Sequence, residues 1–392
     1  MVSLLIVVIY LAFISLGLPD ALLGSAWPVM RLELNAPLAF AGAVSMIISG
    51  GTIVSSLLSD RLTFHLGAGK VTVCSVLLTA VALFGFSTCT EAWMLALWAI
   101  PYGLGAGAVD AALNNYVAIH YSSRCMSWLH CFWGVGVSVS PFIMSRCLVE
   151  GLGWPTGYRT VSFIQLGITA LLFFSLPLWK RGAADKPGAP SAHPKHIGDM
   201  LQIKGVPQVL WTFFCYCAME STAGLWASTY LASARGMAVE DAARFASLFY
   251  LGITLGRFLN GFVANRFGDR VMIRAGLIIC AGSIVLIAFP NIGVASCALV
   301  ALGVGNGPVY PCIIHATPAN FGEENSQAII GIQMASAYAG STFVPPVFGL
   351  IAQYVNVGLY PWFLLAFTAV MLLLSERLNR VLRRPLAERI GH

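Results

Sequence analysis

Charged residues are scarce in this chain of 392 residues. Only 10% are Asp, Glu, Lys or Arg, whereas 58% are hydrophobic, and the mean hydropathy is +0.80. Soluble domains carry roughly 25% charged residues. This shortage excludes a water-soluble enzyme and a disordered chain, and it predicts an integral membrane protein. The net charge of +6 does not by itself decide between a phosphate-binding surface and a membrane-topology signal.

The sequence also lacks the residue spacings typical of metal sites, disulfides and signal peptides. Most of the ten cysteines lie in apolar runs, where cysteine behaves as a small hydrophobe. Cys215 and Cys217 are separated by one residue, whereas zinc and redox pairs use two. We therefore expect no metal site and no cofactor. The first apolar run starts at Met1 without a basic segment before it, which favours a retained span over a signal peptide.

Apolar stretches interrupted by charged or turn residues predict twelve membrane spans. They lie near residues 2–30, 38–59, 71–90, 93–117, 126–148, 160–179, 207–231, 243–264, 272–289, 293–317, 326–354 and 358–375. The spans must be helices, because a helix satisfies its own backbone hydrogen bonds in lipid. The predicted domains are a six-helix bundle over 1–180, a cytoplasmic linker over 181–206, a second six-helix bundle over 207–375 and a cytoplasmic tail over 376–392.

The positions of the basic residues predict the orientation of the chain. If both termini are cytoplasmic, sixteen of the 22 Lys and Arg lie on the inner side, five lie outside, and Arg257 lies within a span. Inner loops of membrane proteins are enriched in Lys and Arg. The basic excess is therefore a topology signal, which argues against nucleic-acid binding. We expect a multi-pass protein of the inner cell membrane with cytoplasmic N- and C-termini.

The two halves of the chain resemble each other. The glycine run Gly103–Gly107 in span 4 recurs as Gly303–Gly307 in span 10. Gly136 and Gly340 occupy spans 5 and 11 in the same way. Glycine lets membrane helices approach closely. Several matches with a shift of 200 to 205 residues predict a duplicated six-helix unit.

This organisation, with a charged turn after spans 2 and 8, resembles the major facilitator superfamily. The second turn, Gly261–Arg270 (GFVANRFGDR), is similar to the signature loop of that superfamily, with Asn265 where aspartate is usual. The first turn keeps Asp60 and Arg61. The resemblance implies an all-α polytopic membrane protein of two pseudo-symmetric bundles. It also implies alternating access to a site near the bilayer midplane.

Shorter motifs resemble the fucose:proton symporter branch, which includes hexose transporters. They are Gly103–Asn114 (GLGAGAVDAALN) in span 4, Tyr216–Ser221 (YCAMES) in span 7, Pro19–Leu23 (PDALL) in span 1 and Leu129–Gly134 (LHCFWG) in span 5. His130 and Trp133 depart from the glutamine and asparagine of fucose-type members. This resemblance implies a sugar as substrate.

Three carboxyl residues lie inside predicted spans, away from the span ends: Asp20, Asp110 and Glu220. A charge at the bilayer centre costs at least ~2.5–3.5 kcal/mol on insertion scales, so each should face a cavity or a partner. Burial favours the neutral form of a carboxyl group, and we therefore expect these three groups to couple transport to protons. The alternatives are an inner-gate lock for Asp110, a helix-kink or gate hydrogen bond for Asp20, and a structural pair with Arg257 for Glu220.

Polar and aromatic side chains in the spans expected to line the cavity are the candidate substrate contacts. They are Asn114, His130, Trp133, Glu220, Trp226, Tyr250, Asn306, Tyr310 and Gln333. Asn114 follows Asp110 by four residues and shares its helical face. Amides exchange hydrogen bonds with hydroxyl groups, and aromatic rings stack on the apolar faces of sugars. The alternatives are a helix-end role for His130 and interhelical hydrogen bonds for Asn306 and Gln333.

Four charged residues are predicted to gate the bundle. They are Asp60, Arg61, Arg257 and Arg266; for Arg257, pairing with Glu220 is the alternative. The complete hypothesis is a secondary transporter that moves a sugar, a hexose or related polyol, together with a proton, with sodium as the second candidate ion. We expect it to act as a monomer. The main alternative is a drug or lipid exporter of the same fold. A sensor and an intramembrane enzyme are weaker readings, because the tail is short and no nucleophile–base pair is evident.

Overall fold

The computed structural model describes residues 4–37, 40–184 and 195–383. No β-strand occurs in these ranges. The helices of the first half are α1 Leu4–Gly17, α2 Leu22–Glu33, α3 Phe40–Leu66, α4 Ala68–Phe86, α5 Ala92–His120, α6 Ser123–Val149 and α7 Gly153–Ala184. The predicted linker and tail fall partly on residues 185–194 and 384–392, outside the described residues.

The second half begins with a short helix and then repeats the long-helix pattern. Its helices are α8 Ile197–Gln202, α9 Val206–Ser233, α10 Val239–Phe267, α11 Asp269–Ile287, α12 Ile292–Asn306, α13 Val309–His315, α14 Thr317–Phe321, α15 Glu323–Ile351 and α16 Tyr360–Val381. A π-helical turn, Ala352–Asn356, and a 3-10 turn, Val357–Leu359, connect α15 to α16.

Ten segments of the described chain are long and apolar enough to cross a membrane, against twelve predicted spans. The difference has two causes. Spans 11 and 12 run together as one segment, Glu323–Val381, because helical turns join α15 to α16. The 28-residue helix α9 is not among the ten, because tryptophan, threonine and Glu220 lower its hydropathy. The predicted all-α polytopic membrane fold is confirmed.

Two predicted spans are broken where proline interrupts the helix. The span predicted over 2–30 divides into α1 and α2 around Pro19, and the span over 293–317 divides into α12 and α13 at Gly307 and Pro308. Proline has no backbone N–H and its ring clashes with the preceding helical turn. The first break places Asp20 between two helices, where its side chain is exposed.

The chain forms two compact units. The first comprises Met1–Tyr116 and Leu129–Lys195, and the second comprises Val117–Trp128 and His196–His392. The segment Val117–Trp128, which ends α5 and begins α6, therefore belongs to the second unit although it comes from the first half of the chain. The boundary after Lys195 falls inside the predicted linker.

The repeated glycines make equivalent helix crossings in the two units. A Cβ added to Gly103 of α5 would lie 2.2 Å from the carbonyl oxygen of Ile48 on α3. A Cβ added to Gly303 of α12 would lie 2.2 Å from the carbonyl oxygen of Phe249 on α10. At these positions only hydrogen fits between the two backbones. The sequence repeat is therefore a repeat of helix packing.

The turns between α3 and α4 and between α10 and α11 are also equivalent. Each consists of a single glycine, Gly67 with φ +79° and Gly268 with φ +81°. Residues with a Cβ rarely adopt this left-handed region. Both charged turns noted in the sequence therefore reverse the chain by the same backbone geometry, despite the different number of residues before each glycine.

Candidate functional site

The first polar cluster lies in the first unit around Asp20. The Trp133 indole Nε1 of α6 donates to Asp20 Oδ2 at 3.0 Å, and the Tyr102 hydroxyl of α5 donates to Asp20 Oδ1 at 3.1 Å. Both donors are neutral. Two of the predicted site residues, Asp20 and Trp133, are thus in direct contact. Tyr102 was not predicted, since nothing in its apolar surroundings distinguishes it from a packing residue.

A second polar chain in the first unit connects α5 and α6. The Asn114 amide Nδ2 donates to Asp110 Oδ1 at 2.8 Å and to the Asp110 carbonyl oxygen at 3.0 Å. Asn114 Oδ1 lies 3.2 Å from His130 Nε2. Because Asn114 Oδ1 is an acceptor only, the hydrogen of this contact belongs to His130 Nε2. The order of donation therefore runs from His130 through Asn114 to Asp110.

This chain is almost completely shielded. The relative exposures are 7% for Asp110, 0% for Asn114 and 5% for His130, and the edge of the His130 ring packs against Phe13 at 5.4 Å between centroids. The four-residue spacing correctly placed Asp110 and Asn114 on one face. In this state, however, Asn114 presents no surface to a ligand, and its predicted contact with substrate stays a prediction.

The third cluster lies in the second unit around Glu220 of α9. Glu220 Oε1 is 3.6 Å from the Arg257 guanidinium of α10, and Glu220 Oε2 accepts from Asn306 Nδ2 of α12 at 3.3 Å. The Tyr216 hydroxyl donates to the Asn306 carbonyl oxygen at 3.1 Å. Three of the predicted residues, Glu220, Arg257 and Asn306, are therefore brought together from three helices.

Aromatic rings surround this third cluster. The Arg257 guanidinium lies 5.9 Å from the ring centroid of Tyr310, and the Tyr310 ring lies 4.6 Å from that of Phe213 and 5.8 Å from that of Tyr216. The Tyr310 hydroxyl contacts the Met334 sulfur at 3.3 Å. Tyr310 therefore contacts both the charged pair and the apolar side chains beside it.

Gln333 and Asn306 each keep one buried polar atom without a hydrogen bond in the described structure. Thr317 donates to Gln333 Oε1 at 3.1 Å, which leaves Gln333 Nε2, and Asn306 keeps its Oδ1. Both side chains have 0% exposure. An unsatisfied buried polar group costs free energy. Both amides therefore keep unused hydrogen-bonding capacity, although, like Asn114, neither presents surface to a ligand in this state.

Trp226 and Tyr250 have packing contacts. The Trp226 indole donates to the Pro345 carbonyl oxygen at 3.0 Å, and its ring packs against Phe348. The Tyr250 hydroxyl lies so close to Gly224 that an added Cβ there would be 2.0 Å away. About half of the Tyr250 side chain is exposed. Their predicted contact with substrate stays a prediction.

The predicted gating residues divide into two groups. Asp60 Oδ2 accepts from the Lys195 backbone N–H at 2.8 Å, and Arg257 lies beside Glu220. Arg61 and Arg266 are exposed, the latter over the ring of Phe267 at 5.7 Å. Asp60 and Arg61 therefore lie within the last two turns of α3 and Arg266 lies in the last turn of α10, whereas Arg257 belongs to the third cluster.

A further polar cluster, which was not predicted from the sequence, lies in the second unit. This cluster includes residues of the segment Val117–Trp128. The Ser123 hydroxyl donates to Asp269 Oδ1 at 2.6 Å, and His315 Nδ1 lies 2.6 Å from Asp269 Oδ2. His315 Nε2 lies 3.1 Å from the Tyr121 carbonyl oxygen. Asp269 belongs to the signature-like loop, but its partners are more than 40 residues away along the chain.

No group of three or more His, Cys, Asp or Glu side chains suited to a metal ion occurs among the described residues. None of the ten cysteines, all of which lie within the described ranges, forms a disulfide.

Long apolar helices, a duplicated helix arrangement and a few clustered ionisable groups define a polytopic transporter. A family model described as the Major Facilitator Superfamily matches residues 9–245 and 209–389. The chain belongs to this superfamily, and it is a transporter and not an enzyme.

Known proteins of this superfamily are similar over nearly the whole chain. The cis,cis-muconate transport protein of Acinetobacter baylyi is 22% identical over 374 residues, which cover 89% of this chain and 87% of that protein. The solved fucose:proton symporter of E. coli aligns with a TM-score of 0.74 at 16% identity, over 95% of this chain and 98% of that one. The human organic anion transporter TETRAN aligns with a TM-score of 0.70 at 15% identity, over 95% and 98%. The predicted resemblance is confirmed at the level of the fold.

Proposed function

We propose that this chain is a proton-coupled symporter of a sugar, a hexose or related polyol, which works by alternating access as a monomer in the inner cell membrane. Both termini would be cytoplasmic, as the distribution of Lys and Arg favours. The observation that carries the proposal is the buried hydrogen-bonded chain of Asp110, Asn114 and His130.

Protonation would change the hydrogen bonds among Asp110, Asn114 and His130 in a defined way. Asn114 now donates to an Asp110 oxygen and accepts from His130. If that Asp110 oxygen gains a proton it becomes a donor, so the Asn114 amide must turn over to accept from it. The turned amide then presents its N–H groups to His130 Nε2, which must lose its hydrogen or move away. Protonation of that Asp110 oxygen would therefore change the contact between α5 and α6.

The third cluster supports a polyhydroxylated substrate. Buried amides with unused hydrogen-bonding atoms, Asn306 and Gln333, accompany the rings of Tyr216 and Tyr310. Amides match hydroxyl groups and rings match the apolar faces of a sugar. The similar protein from E. coli is a fucose:proton symporter. Pairing with Arg257 leaves Glu220 less suited to a lipophilic cation, which disfavours the drug-export alternative.

Uptake into proteoliposomes with an alkaline interior tests this proposal. A gradient of one pH unit supplies about 1.4 kcal/mol per proton, enough for about 10-fold accumulation. We expect at least one member of a panel of radiolabelled hexoses, pentoses, polyols and sugar acids to accumulate. Asp110→Asn should abolish accumulation but retain exchange between labelled and unlabelled substrate.

Glu150→Gln is the matched control. Glu150 is an exposed carboxylate paired with Arg146 four residues away on the same face, and its loss should leave accumulation unchanged. The absence of gradient-driven uptake of every compound in the panel would refute proton-coupled sugar symport. Undiminished accumulation by Asp110→Asn would move the coupling proton to another residue.

A further inference from the structure

Arg257 differs in its burial from the other described lysines and arginines of this protein. Among the lysines and arginines whose side chains the structure describes, it alone is buried, with 6% of its side chain exposed. Removing a guanidinium from water carries a large desolvation penalty. A residue with this penalty must hold a structural partner or bind a ligand, and its geometry distinguishes the two.

The contact with Glu220 differs from that of a structural ion pair. Arginine locks a carboxylate with two parallel hydrogen bonds of about 2.7–2.9 Å. The surface pair of Arg274 and Glu376 has this geometry, with distances of 2.6 and 2.7 Å. Between Arg257 and Glu220 the distance is 3.6 Å. The chain therefore makes a tight pair at the surface and a loose one where the helices are buried.

Glu220 is the partner that is free to change. Its side chain is 19% exposed, three times the value for Arg257, and its second oxygen is held by Asn306 at 3.3 Å. Glu220 is thus the more exposed member of the pair, and the Asn306 amide can retain it if it moves. A second carboxylate could then take its place beside Arg257.

Four titratable side chains that the described structure places against the pair are uncharged at neutral pH. The titratable side chains that interact with Glu220 are Tyr216 on α9, Tyr250 on α10 and Cys280 on α11, and Tyr310 on α13 lies against Arg257. Among these named groups, the only charges are those of Arg257 and Glu220, which balance each other.

We propose that the substrate carries a carboxylate beside its hydroxyl groups, as aldonates and uronates do, and that Arg257 binds this carboxylate. The inference rests on the proposed proton-coupled symport. When the substrate carboxylate joins Arg257, Glu220 takes up a proton in addition to the one that Asp110 carries in the proposed symport, and the Arg257 cluster stays neutral. The rings of Tyr216 and Tyr310 contact the apolar face of the substrate, and Asn306 and Gln333 bind its hydroxyl groups.

A neutral sugar would use this arrangement poorly. It offers no charge to Arg257, and a proton on Glu220 would then leave a buried guanidinium without its counterion, which is strongly unfavourable. A sugar acid and the proton on Glu220 enter the Arg257 cluster together with no net charge. Glucuronate and gluconate against glucose are therefore the discriminating probes, because the three share a six-carbon skeleton and most hydroxyl groups.

The test compares gradient-driven uptake and binding of the three probes. We expect glucuronate or gluconate to be taken up at least 10-fold faster than glucose. Arg257→Gln should lower acid uptake at least 10-fold and abolish the thermal stabilisation of the detergent-purified protein by the acid. Arg274→Gln, which removes the surface arginine of the tight pair, should change neither readout.

A double variant separates binding from folding. Because Arg257→Gln leaves Glu220 buried without its cation, the neutral variant Glu220→Gln/Arg257→Gln is measured in parallel and should be folded yet insensitive to the acid. Gradient-driven uptake of glucose, without uptake of either acid, would refute the proposal that Arg257 binds a substrate carboxylate. It would leave the proposed proton-coupled symport intact. Acid binding that depends on Arg257, without any gradient-driven uptake, would support the carboxylate and overturn the symport.

Discussion

Replacement of Gly303 by alanine tests how closely α10 and α12 pack. A Cβ at Gly303 would lie 2.2 Å from the Phe249 carbonyl oxygen, whereas real contacts of this kind essentially never fall below 3.0 Å. The helices must therefore separate by about 0.8 Å at this crossing. Overpacking costs typically about 1–3 kcal/mol. The clash is with backbone, and no rotamer change relieves it.

The same displacement reaches the candidate site. Since α12 ends at Asn306, a shift of the helix moves this amide relative to Glu220, which it already contacts at a long 3.3 Å. We expect Gly303→Ala to lower the melting temperature in detergent by several degrees. It should also reduce substrate uptake by about 10-fold or more, because a misplacement of 1 Å can cost about 100-fold in activity.

Gly282→Ala is the matched control, because it makes the same chemical change on α11 where nothing lies within 4 Å of the added Cβ. Alanine is favoured over glycine in a helix by roughly 0.5–1 kcal/mol. The control should therefore melt at or above the temperature of the unmodified protein. Equal melting temperatures for the two variants would refute the close backbone crossing.

Two further predictions concern single hydrogen-bonding side chains. Ser123→Ala removes a 2.6 Å hydrogen bond to the Asp269 carboxylate. Because a hydrogen bond to a charged group contributes about 1.5–3 kcal/mol, the melting temperature should fall. An unchanged melting temperature would show that Ser123 does not hold Asp269. Asn291 caps α12 by accepting from the N–H groups of Gly293 and Val294 at 2.9 and 3.1 Å. Asn291→Ala should destabilise the protein by about 0.5–2 kcal/mol, whereas Asn291→Ser should not. Equal melting temperatures for these two variants would contradict the cap.

Local sequence patterns predicted those site features that depend on a single helix. The spacing of Asp110 and Asn114 predicted a shared face because a helix repeats every 3.6 residues, and the structure has these side chains in contact. The arrival of His130 at Asn114 could not be predicted in this way. It depends on how α6 packs against α5, which no local pattern specifies.

The pair of Glu220 and Arg257 shows the same limit. Their scarcity in apolar spans made a contact plausible, because an isolated charge in lipid is costly. The 3.6 Å separation, together with the Asn306 contact that accompanies it, follows from the relative positions of α9, α10 and α12. The distinction between a tight structural pair and a loose one exists only in three dimensions.

The sequence by itself determined the membrane class, the helical spans, the repeated halves and the carboxyl residues available for chemistry. Each of these follows from a local constraint. Lipid requires helices with few charges, and a charge inside a span is costly unless it faces a partner or a cavity. The tertiary structure decided the partners, namely Tyr102 and Trp133 for Asp20, His130 for Asn114, and Ser123 and His315 for Asp269. These contacts join residues on different helices, and their geometry is set by the close packing of whole helices against one another.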